Sequence, residues 1–388
     1  MSLGIYIQVP FCQTKCTYCN FHTGVFSNSL FAPYVTAVCA ELSQHARLYE
    51  TANVGGVAGE IVDTVYIGGG TPSLLHPDSL AQILQTACRS FSCELSEVTL
   101  EADPETITSE KANAWRSAGI NRISMGAQSF NDRELQAAGR VHRRADIFSA
   151  CVQLRAAGFQ NISLDLIAGL PHQTRESWEH SLDELLRIRP EHVSIYLMEI
   201  DEGSRLGREV LAGGSRYSAS ALPSDDAMAE FYERACDRLA AASCQHYEIS
   251  NWAFAGFRSK HNSKYWRREK YLGFGAGAHS FDGRVRWANV HDPAEYAQSI
   301  QQGRLPVEQR EELSEEQALD EELFLGLRQL EGIDIERIES RYNVKLRGRL
   351  DALRYRGLVE IEGSRGRLAP ARLAISNEAF VELLSAAE

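Results

Sequence analysis

The chain has 388 residues, 44% of them apolar, and a formal charge of −12. That length buries a large core and suits two domains, while the acidic balance argues against general nucleic-acid binding. No apolar run is long enough for a membrane span, and the opening MSLGIYIQVPFC lacks the basic start and apolar core of a secretory signal.

In chain order, the first two hundred residues alternate. Strand-like runs rich in Ile, Val and Tyr occupy 4–9, 62–67, 97–101, 122–127, 162–167 and 192–197. Helix-patterned stretches at 30–49, 77–88, 109–118, 145–157 and 174–186 separate them. Six such units predict an α/β fold with a parallel sheet and right-handed crossovers, closed only into a partial (β/α)6 TIM-like barrel. A Gly/Ser-rich loop at 203–220 and a helix at 224–242 complete a core domain, 1–242. Residues 243–307 read as a connecting segment that holds His261-Asn262-Ser263-Lys264-Tyr265-Trp266 and a short helix at 292–302. A polar, acidic linker at 308–316 opens a C-terminal unit, 308–388. Helices at 318–330, 334–342 and 345–356 and strands at 358–362 and 367–369 predict a small winged-helix-like α+β domain there.

In such sheets the site lies at the C-terminal ends of the strands. Behind the first run stand Cys12, Cys16 and Cys19, spaced C-x3-C-x2-C. Thiolates are the usual ligands of iron–sulfur clusters, and three on a 4Fe–4S cube leave one iron open. His22 makes a four-ligand zinc site the competing reading, although no second knuckle follows. A disulfide fits poorly: the cysteines number nine, and the other six are scattered. Unpaired thiols point to a reducing compartment, most simply the cytoplasm.

An open iron binds an amine and a carboxylate together. A glycine-rich strand end such as Gly68–Pro72 admits the amine without a Cβ in the way. Glu101 can accept from the amine, Arg140 can pair the carboxylate, and Asp165 can hold ribose hydroxyls. Tyr6, just upstream of the cysteines, can support the ligand. Together these describe a site for S-adenosylmethionine on a reducible cluster.

The chain resembles the radical S-adenosylmethionine (radical SAM) superfamily, and within it the coproporphyrinogen-oxidase-like branch. The motifs are Ile5 to Cys12, Gly68 to Pro72, Glu101-Ala102-Asp103-Pro104, Gly126 to Phe130, Gly139-Arg140 and Asp165 to Pro171. The resemblance implies that Cys12, Cys16 and Cys19 hold a 4Fe–4S cluster. It implies that Tyr6, Gly69, Gly70, Thr71, Glu101, Gln128, Arg140 and Asp165 contact S-adenosylmethionine. Gln8 stands where the branch usually has His.

The branch contains oxygen-independent coproporphyrinogen III oxidases, which decarboxylate propionates, and heme chaperones, which deliver heme. The chaperone group fits better. Phe21 stands where the oxidase has a further cysteine, and Tyr6 lies near the start of the sequence, where the oxidase has a long extension. HNSKYW matches the chaperones' HN-x-x-YW motif. The resemblance thus implies heme as cargo, a heme-acceptor protein, an electron donor and the option of a homodimer. It gives His261 a role in heme binding, with Lys264, Arg267, Arg268 and Lys270 near the propionates. A basic stretch at 341–367, eight Lys/Arg against three acids, raises the alternative of a nucleic-acid-modifying enzyme. A solvated face is the simpler reading, and no nucleic acid is expected.

Overall fold

The computed structural model describes residues 2–55, 57 and 59–385. Six β/α units run as β1 (Ser2–Val9), α1 (Phe31–Ala52), β2 (Ile61–Gly69), α2 (Pro77–Ser90), β3 (Cys93–Ala102), α3 (Ser109–Ser117), β4 (Arg122–Gln128), α4 (Asp132–Ala137), α5 (Arg144–Ala156), β5 (Ile162–Ala168), α6 (Arg175–Ile188) and β6 (His192–Leu197). These six strands are parallel neighbours in sequence order. Alternation along each strand sets the two faces. In β1, Ile5, Ile7 and Val9 are fully buried, whereas Gly4, Tyr6 and Gln8 share the opposite, inner face. Local signals place the helices: Pro77 occupies the first turn of α2, and Thr174 and Ser177 form a capping box on α6.

The region after β6 holds more regular structure than its sequence signals. The loop expected at 203–220 contains α7 (Arg205–Leu211). Then come α8 (Asp225–Ala241), β7 (Gln245–Glu248), β8 (Asn251–Ala253), α9 (Lys260–Trp266), β9 (Tyr271–Phe274), β10 (His279–Phe281), β11 (Val285–Asn289), α10 (Pro293–Gln301) and β12 (Val307–Glu312). β8 and β7 extend the sheet beyond β6. On the other side β9 pairs in parallel with β1, and β10–β12 continue antiparallel. Among the described residues the sheet is therefore open, with twelve strands and β12 and β7 at its edges. The acidic linker expected at 308–316 is mostly the edge strand β12, whose last five residues are exposed. Pairing with β11, not its own composition, holds it extended.

The C-terminal unit has α11 (Glu315–Arg328), β13 (Ile333–Asp334), α12 (Ile335–Tyr342), α13 (Arg347–Tyr355), β14 (Val359–Glu362), β15 (Arg365–Leu368) and α14 (Ser376–Ser385). β13, unforeseen in the sequence, makes the hairpin of β14 and β15 a three-stranded sheet. The helix α14 was also unforeseen. Phe380 packs on Phe324 of α11 at 4.6 Å between centroids. Met1 and residues 386–388 of the expected domain bounds lie outside the described residues.

Candidate functional site

The strand C-terminal ends form a rim around a cavity of about 630 Å³. Cys12, Cys16 and Cys19 line it together with Gly69, Gly70, Thr71, Glu101, Gln128, Arg140 and Asp165. Ten of the predicted site residues, dispersed over the first 165 positions, thus meet in one place. Tyr6 does not line the cavity. It lies on the inner face of β1, donates to Gln8 Oε1 at 2.7 Å, and its ring stacks with Tyr66 at 6.0 Å.

The cysteine loop is braced from three sides. Cys12 N–H donates to Gly24 O at 2.8 Å, and Thr17 N–H to Ala138 O at 3.0 Å behind α4. Leu206 N–H of α7 donates to Thr17 O at 2.8 Å, and Arg205 donates to Lys15 O. The three thiols are half-buried. Burial pushes the Cys12 thiol up to about 11, with the hydrogen bond to Thr23 opposing it. Gly70 lets its strand end pack against the start of the cysteine loop: a Cβ there would lie 2.5 Å from Phe11 O and 2.9 Å from Cys12 Sγ. Gly69, at φ +117°, needs the freedom that only glycine has.

Glu101 is held by Tyr66 OH at 2.8 Å and Gly69 N–H at 2.9 Å. Burial raises its carboxyl to about 7 despite these donors. Asp165 receives Ser124 Oγ at 3.3 Å and Ser163 Oγ at 3.3 Å, and burial raises it also. Arg140 binds Asp103, donates to Gly126 O at 3.0 Å, and approaches Cys16 Sγ at 3.5 Å. Asp103 also accepts from Thr71 Oγ1 at 3.0 Å. Asp103 was not singled out in the sequence, although it stands inside the quoted run Glu101 to Pro104. Gln128 takes a left-handed backbone, φ 62°, and its buried carboxamide oxygen has no hydrogen-bond partner.

The HNSKYW stretch lies elsewhere. It is the short helix α9, which closes the floor of the barrel at the strand N-terminal ends. Glu97 of β3 accepts the N–H groups of Lys260 and His261 at 2.9 Å each, a carboxylate at a helix N-terminus. His261 is buried between Thr64 Oγ1 at 2.9 Å and Tyr265 OH at 2.8 Å, so both ring nitrogens are engaged. Burial, then Lys264 and Arg122, lower it to about 3. An iron bond from His261 would require giving up one of those partners. Three of the four cations expected near propionates are committed as well: Lys264 to Asp63 at 2.8 Å, Arg268 to Glu321 at 2.8 Å, Lys270 to Glu60 at 2.9 Å, whereas Arg267 is exposed.

Comparison with known proteins follows this geometry. Residues 6–185 match the model of the radical SAM superfamily, and 313–371 that of the HemN C-terminal domain. A Bacillus subtilis protein named heme chaperone HemW is 35% identical over 97% of this chain and 97% of its own length. The HemW of Lactococcus lactis is 33% identical, covering 87% of this chain and 84% of that one. The solved structure of Escherichia coli coproporphyrinogen III oxidase (HemN) superposes with a TM-score of 0.81 at 21% identity, over 99% of this chain and 89% of that chain. That likeness establishes the fold: an open barrel with a HemN-type C-terminal domain. The chain belongs to the radical SAM superfamily and, within it, to the HemW family.

Proposed function

We propose that this chain is a heme chaperone: it binds heme, carries a 4Fe–4S cluster with S-adenosylmethionine, and passes heme to an acceptor protein. The observation that carries the reading is the end-to-end match to proteins named heme chaperone. In this reading Cys12, Cys16 and Cys19 hold the cluster. Glu101 and Gly69 receive the amine of S-adenosylmethionine, Arg140 its carboxylate, Asp165 its ribose, with Gly70, Thr71 and Gln128 completing the contacts and Tyr6 supporting them from below. The residues present fit these groups: three thiols face one cavity, and the unpaired oxygen of Gln128 offers an acceptor there. When bound, the cluster supplies one electron to S-adenosylmethionine.

The protein's own groups hold the ligand and shape what can join it. Besides the thiols, Glu101, Asp103, Glu105, Asp165 and Glu199 line the cavity against Lys15, Arg140 and Arg328. Each of those cations is already bonded: Lys15 to the carbonyls of Phe21 and Thr23, Arg140 to Asp103, Arg328 to Glu248. Acids outnumber cations five to three on this wall, a balance unfavourable to a porphyrinogen bearing several propionates. A separate electron donor, a cytoplasmic setting and the option of a homodimer belong to the same reading; nucleic acid does not.

The test is an anaerobic assay of cluster-reconstituted protein with coproporphyrinogen III, S-adenosylmethionine and a strong reductant. Saturable heme binding with no protoporphyrinogen is expected. Multiple turnovers of decarboxylation would make the protein an oxidase.

A further inference from the structure

We propose that His22 is the side chain that binds heme iron in this chain, an inference that rests on the heme-binding reading above. The motif histidine His261 is closed off in the floor, with a partner on each nitrogen. His192 is equally committed, to Ser163 and Tyr247. His22 differs in every respect. It stands three residues after Cys19, is exposed, and makes no hydrogen bond within the described chain. Neither the cluster nor the S-adenosylmethionine contacts use it.

The ring of His22 is nevertheless held. It stacks on His291 with centroids 3.6 Å apart and planes 24° apart. Glu308 lies 3.7 Å from the Nε2 of His291. His291 also rests over Gly277, where a Cβ would come within 3.0 Å of its Nδ1 and where φ is +72°. A stacked imidazole keeps its plane while a ring edge stays open to a ligand. Burial, His291 and Lys15 together lower the affinity of His22 for a proton, which favours the neutral, ligating form.

The surroundings suit a flat apolar macrocycle with anionic edges. Phe21, the preceding residue, is 67% exposed, and Val25 is 62% exposed. Side chains of this size on a rim otherwise lose free energy to water and gain it when covered. The acidic cavity beside them repels propionates, which keeps the macrocycle outside, on the rim. The step is simple ligation: an imidazole nitrogen donates its lone pair to iron, the other nitrogen keeps its proton, and a water leaves the iron.

The experiment titrates hemin into cluster-reconstituted protein and follows the Soret band by difference absorbance, with iron and sulfide content measured on each sample. For His22→Ala the expected result is a Soret band like that of free hemin and affinity weaker by about tenfold or more, with iron and sulfide unchanged. Added imidazole should restore the band, and His22→Cys should move it to that of a thiolate-ligated heme. A wild-type Soret band and affinity in His22→Ala would overturn the proposal. Loss of heme and cluster together would assign His22 to the fold of the loop, and would overturn it too. If the wild-type protein binds no hemin saturably, the heme reading itself falls, a failure distinguishable from loss confined to His22→Ala.

Discussion

At the floor of the barrel His261, Lys264 and the first amides of α9 each meet a fixed partner; at the rim Gln128 leaves a buried oxygen unpaired and the three thiols are half-buried. The first set sits on α9, packed against the start of β2 and β3, and the second lies at or just beyond the far ends of strands of the same sheet. The chain itself satisfies these floor groups, although the Trp266 indole and Arg122 keep buried donors without partners there. The rim places backbone strain at Gln128 and raised carboxyl groups at Glu101 and Asp165, which a bound cationic ligand would relieve. The difference teaches that a motif histidine with both nitrogens bonded must break a contact before it can bind a metal, whereas the rim need not.

The largest effect expected from breaking that contrast is at the rim. Cys12→Ala, Cys16→Ala or Cys19→Ala should each abolish cluster reconstitution, read as lost iron and sulfide, with little change in melting of the cluster-free protein. Next comes the floor. His261→Ala empties a buried site and strands the hydroxyls of Thr64 and Tyr265, which should cost about 2–4 kcal/mol in urea unfolding. It should leave the hemin spectrum unchanged once folded protein is compared. A loss of heme without a loss of stability would reverse the assignment of the two ends.

Glu101 sharpens the comparison through pH. Its folded value, about 7, lies above the ordinary 4.5. Its contribution to stability is therefore full below about pH 4.5 and declines as pH rises to about 7. Ligand binding runs the other way: the carboxylate that attracts an ammonium appears only above that point. Affinity for S-adenosylmethionine should rise as pH passes about 7. Glu101→Gln should bind about tenfold more weakly and lose that rise, measured by equilibrium dialysis. The smallest effect serves as the control. Arg258→Ala removes a surface pair with Glu331, both partners well exposed, and should change stability by less than about 0.5 kcal/mol.

The rim was legible because its residues sit at repeated strand ends, where a strand-and-helix count locates them without coordinates. The floor was not. Nothing in His261-Asn262-Ser263-Lys264-Tyr265-Trp266 announces that Glu97, far earlier in the chain, captures its first amides. β12 was missed because its exposed, charged face carries no alternation to read. β9 and β10 were missed because strands of four and three residues separated by glycines look like a loop until β1 supplies their partner. The roles of Asp103 and of the Gln128 backbone arise only from contacts between strands.

The pairing of β9 with β1 has a consequence for how the molecule comes into being. β1 precedes the cysteine loop, yet one of its edges is covered only when β9 arrives, after all the other strands from β2 to β8. A contact so distant in sequence closes late and slowly. Until it does, β1 presents an unprotected edge to other chains. The same interval leaves the side of the sheet next to the cysteine loop unfinished, with His291 not yet in place under His22. The nascent protein is most prone to aggregate during that wait, while the edge beside the cysteine loop is still uncovered.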